Sequence, residues 1–131
     1  MRTVRVYSRA KEGGEQVSPN FRVKEFACSD GAEAVFIYPA LVEVLQAIRD
    51  HFGKPVTVNS AYRTPARNKA VGGAARSQHL YGTAADITVK GVHPMQVAAY
   101  AEQLLQGRGG IGIYKTFTHI DVRDGKSRWN G

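Results

Sequence analysis

Residues 59–87 read NSAYRTPARNKAVGGAARSQHLYGTAADI, and the rest of the chain is organised around this stretch. It is long, rich in glycine and small residues, and crowded with polar side chains that protein cores avoid. One of them, Asp86, lies inside the otherwise apolar run of residues 84–87. A buried carboxylate is costly unless a cation or a set of hydrogen-bond donors neutralises it. The stretch therefore predicts a cation site at Asp86 or, alternatively, a carboxylate that accepts hydrogen bonds from backbone donors.

Two histidines can complete such a cation site. His79 precedes Asp86 by seven residues, in the turn that leads into its strand, and His119 lies in a second apolar strand. Two imidazoles and one carboxylate, with a fourth position left for water, form a recurrent catalytic zinc set. The spacing differs from the helical HExxH arrangement, in which the histidines lie four residues apart. On the residues alone, this hypothesis competes with the alternative that His79 and His119 are unrelated polar residues.

The composition indicates one folded domain. The chain has 131 residues, of which 43% are hydrophobic and 22% charged, and this suits a single core. Its one cysteine, Cys28, excludes an intrachain disulfide and is expected to be a buried small hydrophobe rather than a zinc ligand. No apolar run approaches the roughly 20 residues of a membrane span. The N-terminal residues lack the apolar segment of a secretory signal, so no signal peptide is predicted.

The net charge of +7 predicts attraction to polyanions. Nucleic acid and the acidic polymers of the bacterial cell wall are equal candidates on this ground. The basic residues are dispersed, with no tight basic run and no aromatic-interleaved RNA motif. A generally solvated basic surface therefore competes with a dedicated binding face.

Apolar periodicity predicts two main helices, over residues 39–52 and 94–106, and an α+β fold. His51 and His93 lie at ends of these helices, where an interaction with the helix dipole, capping or simple exposure is expected. After the last strand the chain is expected to end in a short tail that contains Trp129. Strands are predicted at residues 3–7, 55–60, 83–89, 109–114 and 117–122, the last two as a hairpin.

Three ordered motifs resemble one enzyme family. The segment SQHLYGTAAD at residues 77–86 matches the pattern SxHxxGxAxD, and SAYRTP at residues 60–65, with Asn68, resembles an S-x-Y-R segment. GIGIY at residues 110–114 and FTHID at residues 117–121 resemble a G-x-G-x-Y…H-x-D ending. These are features of the M15 peptidases, the D-Ala-D-Ala carboxypeptidase family of zinc enzymes, and the last belongs to its compact branch. The similarity runs from about residue 18 to residue 129.

The resemblance implies a fold and a site. It implies a small antiparallel sheet with two main helices packed on it, as in Hedgehog and the DD-peptidases. It also implies a single domain over residues 1–131, in which residues 1–17 are an N-terminal extension. It implies that His79, Asp86 and His119 bind zinc. Arg63 would hold a substrate carboxylate or stabilise the oxyanion, with the resemblance supporting the latter, and Ser77 would bind substrate.

The general base is the position at which this chain departs from the family. Several M15 branches place Glu, Asp or His three residues before the last zinc-binding histidine, and here that residue is Thr116, which cannot act as a base. Asp121 is the expected substitute, because residues two apart on a strand project to the same face and Asp121 should point with His119. It could serve as the catalytic base or as a carboxylate that supports the zinc ligand.

The resemblance implies a zinc metallopeptidase that hydrolyses peptide bonds in peptidoglycan stem peptides or cross-links, as a carboxypeptidase or endopeptidase, with a zinc-activated water as nucleophile. The alternative is a catalytically weak or inactive zinc-containing module that binds cell wall or belongs to a phage structure. A nucleic-acid-binding domain rests on charge alone and is not expected. We expect a monomer made in the cytoplasm that reaches the cell wall during phage or prophage lysis or by non-classical export.

Overall fold

In the computed structural model, which describes residues 3–131, the chain is an α+β structure with one five-stranded sheet and two two-stranded sheets. This confirms the predicted fold class, while the likeness to Hedgehog and the DD-peptidases stays a prediction. The five-stranded sheet contains β5 (Val56–Ser60), β6 (Ala84–Val89), β7 (Gly109–Ile113), β8 (Thr118–Asp121) and β9 (Lys126–Asn130). The small sheets pair β1 (Arg5–Ser8) with β4 (Ala34–Ile37), and β2 (Gln16–Ser18) with β3 (Phe21–Arg22).

The large sheet has the order β5-β6-β8-β7-β9, and its edge departs from the prediction. The pairs β5–β6, β6–β8 and β7–β8 are antiparallel, as expected, but β9 pairs parallel to β7. The expectation of a purely antiparallel sheet and of a C-terminal tail is therefore wrong at this edge. Residues 126–130, KSRWN, have no apolar alternation, and their strand is fixed by pairing with β7 instead.

The two predicted main helices are confirmed as α2 (Pro39–Phe52) and α4 (Pro94–Leu105). α2 begins with Pro39 in its first turn and ends at Gly53, whose φ of 63° is a left-handed conformation that glycine adopts without strain. His93 caps α4 by accepting a hydrogen bond from the Met95 backbone N–H at 3.0 Å, and capping was one of the roles expected for it. Two shorter helices are α1 (Arg9–Glu12) and α3 (Pro65–Ala70).

The N-terminal residues pair with the body of the protein, because β1 lies antiparallel to β4. Of the expected N-terminal extension, residues 1–2 lie outside the described residues, and the division of the chain into one domain with an extension stays a prediction. Among the described residues, no helix has the length and apolar character that a membrane crossing requires.

Strand alternation separates the core from the polar side of the large sheet. Ala85 and Ile87 of β6 and Ile120 of β8 are buried in the main hydrophobic cluster, together with apolar side chains of α2 and α4. Because successive residues of a strand point to opposite faces, Asp86 and His119 project away from that core. The β6–β8 register places these two residues directly opposite each other.

Candidate metal centre

His79 reaches the sheet from a turn that precedes β6. It lies in a short 3-10 helix, Gln78–Tyr81, whose N-terminus is capped by the Ser77 hydroxyl, which accepts a hydrogen bond from the His79 backbone N–H at 3.2 Å. Gly82 ends this turn with a φ of 75°, and a Cβ at this position would lie 2.5 Å from the Phe36 carbonyl oxygen. Only glycine fits both the backbone conformation and the close approach to β4. The turn thereby delivers His79 beside Asp86.

His79, Asp86 and His119 form a buried cluster whose ligand atoms all lie within 4.8 Å of one another. His79 Nε2 is 3.3 Å from Asp86 Oδ2, and His119 Nδ1 is 2.9 Å from Asp86 Oδ1. The sequence predicted these three residues as one site, and the structure brings them together. Two imidazole nitrogens and one carboxylate converging at this separation are a donor set that suits a zinc ion.

The protein fixes the tautomer of His79. Its Nδ1 lies 2.7 Å from the Ala61 carbonyl oxygen, which can only accept a hydrogen bond, so Nδ1 carries a proton. In the neutral ring, Nε2 then has a free lone pair, and this is the atom that faces Asp86. The orientation of a metal-binding histidine by a hydrogen bond from its other nitrogen is a common feature of metal sites.

Asp121 does the same for His119. His119 Nε2 lies 2.8 Å from Asp121 Oδ2, on the side of the ring opposite to Asp86. Arg123 in turn donates to Asp121 from Nε at 2.8 Å and from Nη2 at 2.6 Å. Asp121 is fully buried. As expected from strand alternation, it shares the face of His119, and its carboxylate meets the ring nitrogen remote from the cluster.

The remaining predicted site residues line the same cavity, which has a volume of about 480 Å³. Arg63 places Nη2 3.6 Å from Asp86 Oδ2, and its backbone N–H donates to the His79 carbonyl at 3.0 Å. Ser77 also lines the cavity. Thr116 is exposed and does not line it.

Comparison with known proteins identifies the family. The model of the family described as Peptidase M15 matches residues 19–121, which is most of the chain. The chain belongs to the M15 peptidase family. The resemblance stated from the motifs is thereby confirmed.

One curated relative of this M15 chain is a zinc D-Ala-D-Ala carboxypeptidase of Streptomyces albus G, 52% identical over 86 residues. The match covers 63% of this chain and 34% of the relative. The chain therefore spans about a third of the length of the curated relative that it matches.

Opposing effects set the charge states in the M15 site. Burial raises the pKa of Asp86, but hydrogen bonds with His119 and His79 outweigh burial and hold that pKa well below its usual range. Burial lowers the pKa of His119, and the Asp121 and Asp86 carboxylates outweigh it, so the pKa of His119 is raised. Burial raises the pKa of Asp121, but hydrogen bonds with Arg123 and His119 outweigh burial and hold that pKa below its usual range. Asp86 and Asp121 are thus ionised carboxylates, and the negative charge of Asp86 within the cluster suits a cation.

Two glycines of β7 make room for Asp121 and Trp129 beside His119, and of these two residues sequence reasoning missed Trp129. A Cβ on Gly110 would lie 2.1 Å from Asp121 Oδ2, and one on Gly112 would lie 2.5 Å from the Trp129 ring. The Trp129 ring centroid is 4.9 Å from that of His119. The alternating glycines of the G-x-G motif were the available signal, because a strand without side chains on one face leaves space for a neighbour.

Trp129 is held in place by two further contacts. Its indole Nε1 donates to the Tyr114 hydroxyl at 2.9 Å, and the Arg123 guanidinium lies 5.7 Å from the ring centroid. Trp129, Tyr114 and Arg123 all line the cavity.

The other candidate ligands lie outside this centre. Cys28 is buried, as expected, and its sulfur lies 4.0 Å from the Thr64 hydroxyl. His51 is exposed and stacks on Tyr100 with 3.7 Å between ring centroids. Within the described part of the chain, neither these two residues nor His93 belongs to the cluster that could hold a metal.

Proposed function

We propose that this chain is a zinc-dependent peptidase that hydrolyses peptide bonds in peptidoglycan stem peptides or cross-links, as a carboxypeptidase or an endopeptidase. The observation that carries the proposal is the convergence of His79, Asp86 and His119, with one nitrogen of each histidine already held by a protein acceptor. Membership of the M15 family and the zinc D-Ala-D-Ala carboxypeptidase among the relatives support the same conclusion.

The residues present fit a zinc ion, with His79, Asp86 and His119 as the proposed ligands. The donors are two imidazoles and a carboxylate, the set found in several catalytic zinc sites, and three protein ligands leave one position open. When bound in such a site, zinc lowers the pKa of a water molecule and polarises a carbonyl group. The open cavity beside the cluster provides the space for a peptide.

Arg63 is proposed to stabilise negative charge on the carbonyl oxygen of the substrate or to hold a substrate carboxylate. Its guanidinium lies at the edge of the cluster, 3.6 Å from Asp86, and it is anchored by the Ser60 hydroxyl at 3.3 Å from Nε. A fixed guanidinium in a partly dry cavity stabilises developing charge more strongly than one in bulk water. Ser77, which also lines the cavity, is proposed to hydrogen-bond the peptide.

We propose that Asp121 orients the His119 ring and is not the general base. Its Oδ2 is engaged by His119 Nε2 at 2.8 Å and by Arg123 Nη2 at 2.6 Å, and its side chain has no exposed surface. A base must reach the proton that it removes, directly or through one water molecule. A fully buried carboxylate behind a zinc ligand is better placed to fix the ring and to raise its basicity.

The alternative function, a zinc-containing module that binds the cell wall with weak or no catalysis, is favoured by one observation. Among the described residues that line the cavity, Asp86 is the single carboxylate, and it belongs to the proposed ligand set. The residue three positions before His119 is the exposed Thr116. A hydrolase with this site would need another way to accept the proton of water.

The partners and the place of action follow from the proposed activity. The substrate would be peptidoglycan, in which acidic groups suit a protein of net charge +7. We propose a monomer that acts on the cell wall during phage or prophage lysis or after non-classical export.

The test is incubation of purified protein with purified peptidoglycan, followed by mass spectrometry of the soluble peptides. The proposal predicts peptide or amino-acid release that stops with a chelator, returns with added zinc, and is lost in His79→Ala. The control is His93→Asn, which changes an exposed histidine, preserves a capping side chain on α4, and should leave the release unchanged. Hydrolysis that persists in the chelator contradicts the zinc mechanism. Zinc retention and wall binding without release of products support the inactive module instead.

A further inference from the structure

Asn68 is a buried polar residue beside the metal centre, with 4% of its surface exposed. It lies on α3, and both ends of its side-chain amide are hydrogen-bonded. Oδ1 accepts from Arg63 Nη1 at 3.3 Å, and Nδ2 donates to the Ala74 carbonyl at 2.9 Å. A buried amide with partners on both ends has one defined orientation, because reversal would place donors against a donor and an acceptor against a carbonyl.

The backbone of Asn68 holds the same neighbouring loop. Its carbonyl accepts a hydrogen bond from the Gly73 N–H at 2.8 Å. A Cβ on Gly73 would lie 2.0 Å from Asn68 Oδ1 and 3.2 Å from Arg63 Nη1. The glycine therefore allows the loop of residues 71–77 to close directly over the contact between Asn68 and Arg63.

This contact joins two walls of the cavity. One wall is Arg63, and the other is the loop that carries Gly73, Ala74 and Ser77, all of which line the cavity. Asn68 itself does not line the cavity, so it is not placed to contact a substrate. An effect of Asn68 on a reaction would have to pass through the residues that it holds.

The orientation of the Arg63 guanidinium depends on acceptors other than Asp86. Its Nη2 lies 3.6 Å from the Asp86 carboxylate, whose negative charge attracts the guanidinium toward the cluster. Asn68 Oδ1 and Ser60 Oγ are the two neutral acceptors that hold the other nitrogens. If Nη1 loses its acceptor, the guanidinium is free to turn toward Asp86, where it would compete with a cation for the same oxygen atoms.

We propose that Asn68 is a positioning residue that holds the Arg63 guanidinium in the orientation needed for turnover. The inference rests on the proposed peptidase function, in which Arg63 stabilises negative charge on the substrate. Asn68→Ala should lower kcat by about tenfold or more, the factor that corresponds to a hydrogen bond to a charged group, and change KM much less.

A double-mutant cycle separates positioning from general damage to the fold. Asn68→Ala is compared with the parent chain, and again in the Arg63→Ala background. The proposal predicts a drop in kcat in the first comparison and almost none in the second, because the residue through which Asn68 acts is then absent. An equal drop in both backgrounds overturns the proposal. The control is Asn59→Ala, an exposed asparagine on β5, which should change kcat in neither background.

A conservative variant provides a second kinetic test. Asn68→Asp retains an oxygen acceptor for Arg63 but loses the donor to Ala74, so it should recover most of the kcat that Asn68→Ala loses. If Asn68→Asp is as slow as Asn68→Ala, the tie to the loop matters and the tie to Arg63 does not, and the proposal is wrong.

A measurement without turnover makes the two possible failures distinguishable. In zinc-loaded protein, NMR of the guanidinium nitrogens reports rotation about the Arg63 Nε–Cζ bond. We expect slow rotation in the parent chain and in Asn59→Ala, and faster rotation in Asn68→Ala. Unchanged rotation in Asn68→Ala overturns the positioning role. If the parent chain hydrolyses no peptide but rotation is faster in Asn68→Ala than in the parent, only the proposed function is refuted.

Discussion

Replacement of Asp121 by asparagine tests how His119 is oriented. The substitution keeps the shape of the side chain but leaves one oxygen where the carboxylate has two. In the structure both oxygens are occupied by donors, Oδ2 by His119 and Arg123, and Oδ1 by Arg123. The amide NH₂ must then face donors on one side. At the Oδ2 position it faces His119 and Arg123 Nη2, and at the Oδ1 position it faces Arg123 alone.

The size of the effect follows from this geometry. Loss of the partner behind a metal-binding histidine typically weakens metal affinity by about 10-fold to 100-fold, or roughly 1.4 to 2.7 kcal/mol. If Arg123 loses its partner instead, His119 keeps its orientation, and the loss falls on a half-buried guanidinium. In either orientation the negative charge that faces His119 Nε2 at 2.8 Å is lost, so we expect a zinc dissociation constant about 10-fold higher or more.

The assay is competition for zinc between the protein and a chromogenic chelator of known affinity. Asp50→Asn is the control, because it removes the same charge at an exposed site on α2 and keeps the oxygen that accepts from Gln46 at 2.9 Å. Circular dichroism on both variants checks that the fold is retained. Unchanged zinc affinity combined with a large loss of kcat would refute the orienting role and identify Asp121 as the general base.

Further predictions concern the glycines and the metal. Gly82→Ala should reduce the free energy of unfolding by about 2–4 kcal/mol, because the new alanine has a left-handed φ and clashes with β4. Gly91 has a similar φ but open space around it, so Gly91→Ala should reduce the free energy of unfolding by only about 1–2 kcal/mol. Equal losses in urea titrations would contradict the clash. Gly112→Ala should displace Trp129 and change the fluorescence of this single tryptophan, while Gly125→Ala, with no neighbour within 4 Å, should not. Chelated protein should keep its far-UV circular dichroism, because the core is apolar and separate from the ligands. Zinc at 100 times its dissociation constant should then add about 2.7 kcal/mol to the free energy of unfolding. Unfolding on chelation would instead show a metal-dependent fold.

The proposed ligands could be predicted from the sequence because each carries a local signal. Asp86 stands out as a charge within an apolar strand, and His119 is a polar residue in another. Alternation along a strand then places Asp121 on the face of His119, which the structure confirms. Alternation does not specify which atom a side chain meets, so the contact of Asp121 with Nε2 of the ring could not be predicted.

The C-terminal strand could not be predicted because its stability comes from a partner that is distant in sequence. Residues 126–130 show no apolar alternation, and they pair parallel to β7 rather than with the preceding strand β8. Trp129 and Arg123 were therefore missed as neighbours of His119. The structure explains the position of Trp129, because Gly112 has no side chain and the indole occupies that space. Gly110 leaves space for the carboxylate of Asp121 in the same way.

The central claim is that one zinc ion is held by His79, Asp86 and His119, and X-ray absorption at the zinc edge tests it most directly. Zinc-loaded protein at one equivalent is predicted to show two imidazole nitrogens near 2.0–2.1 Å with oxygen in the remaining positions, and no sulfur. In His79→Ala one imidazole should be lost. A sulfur atom near 2.3 Å, which only Cys28 or a methionine could supply, or an unchanged spectrum in His79→Ala, would contradict the account.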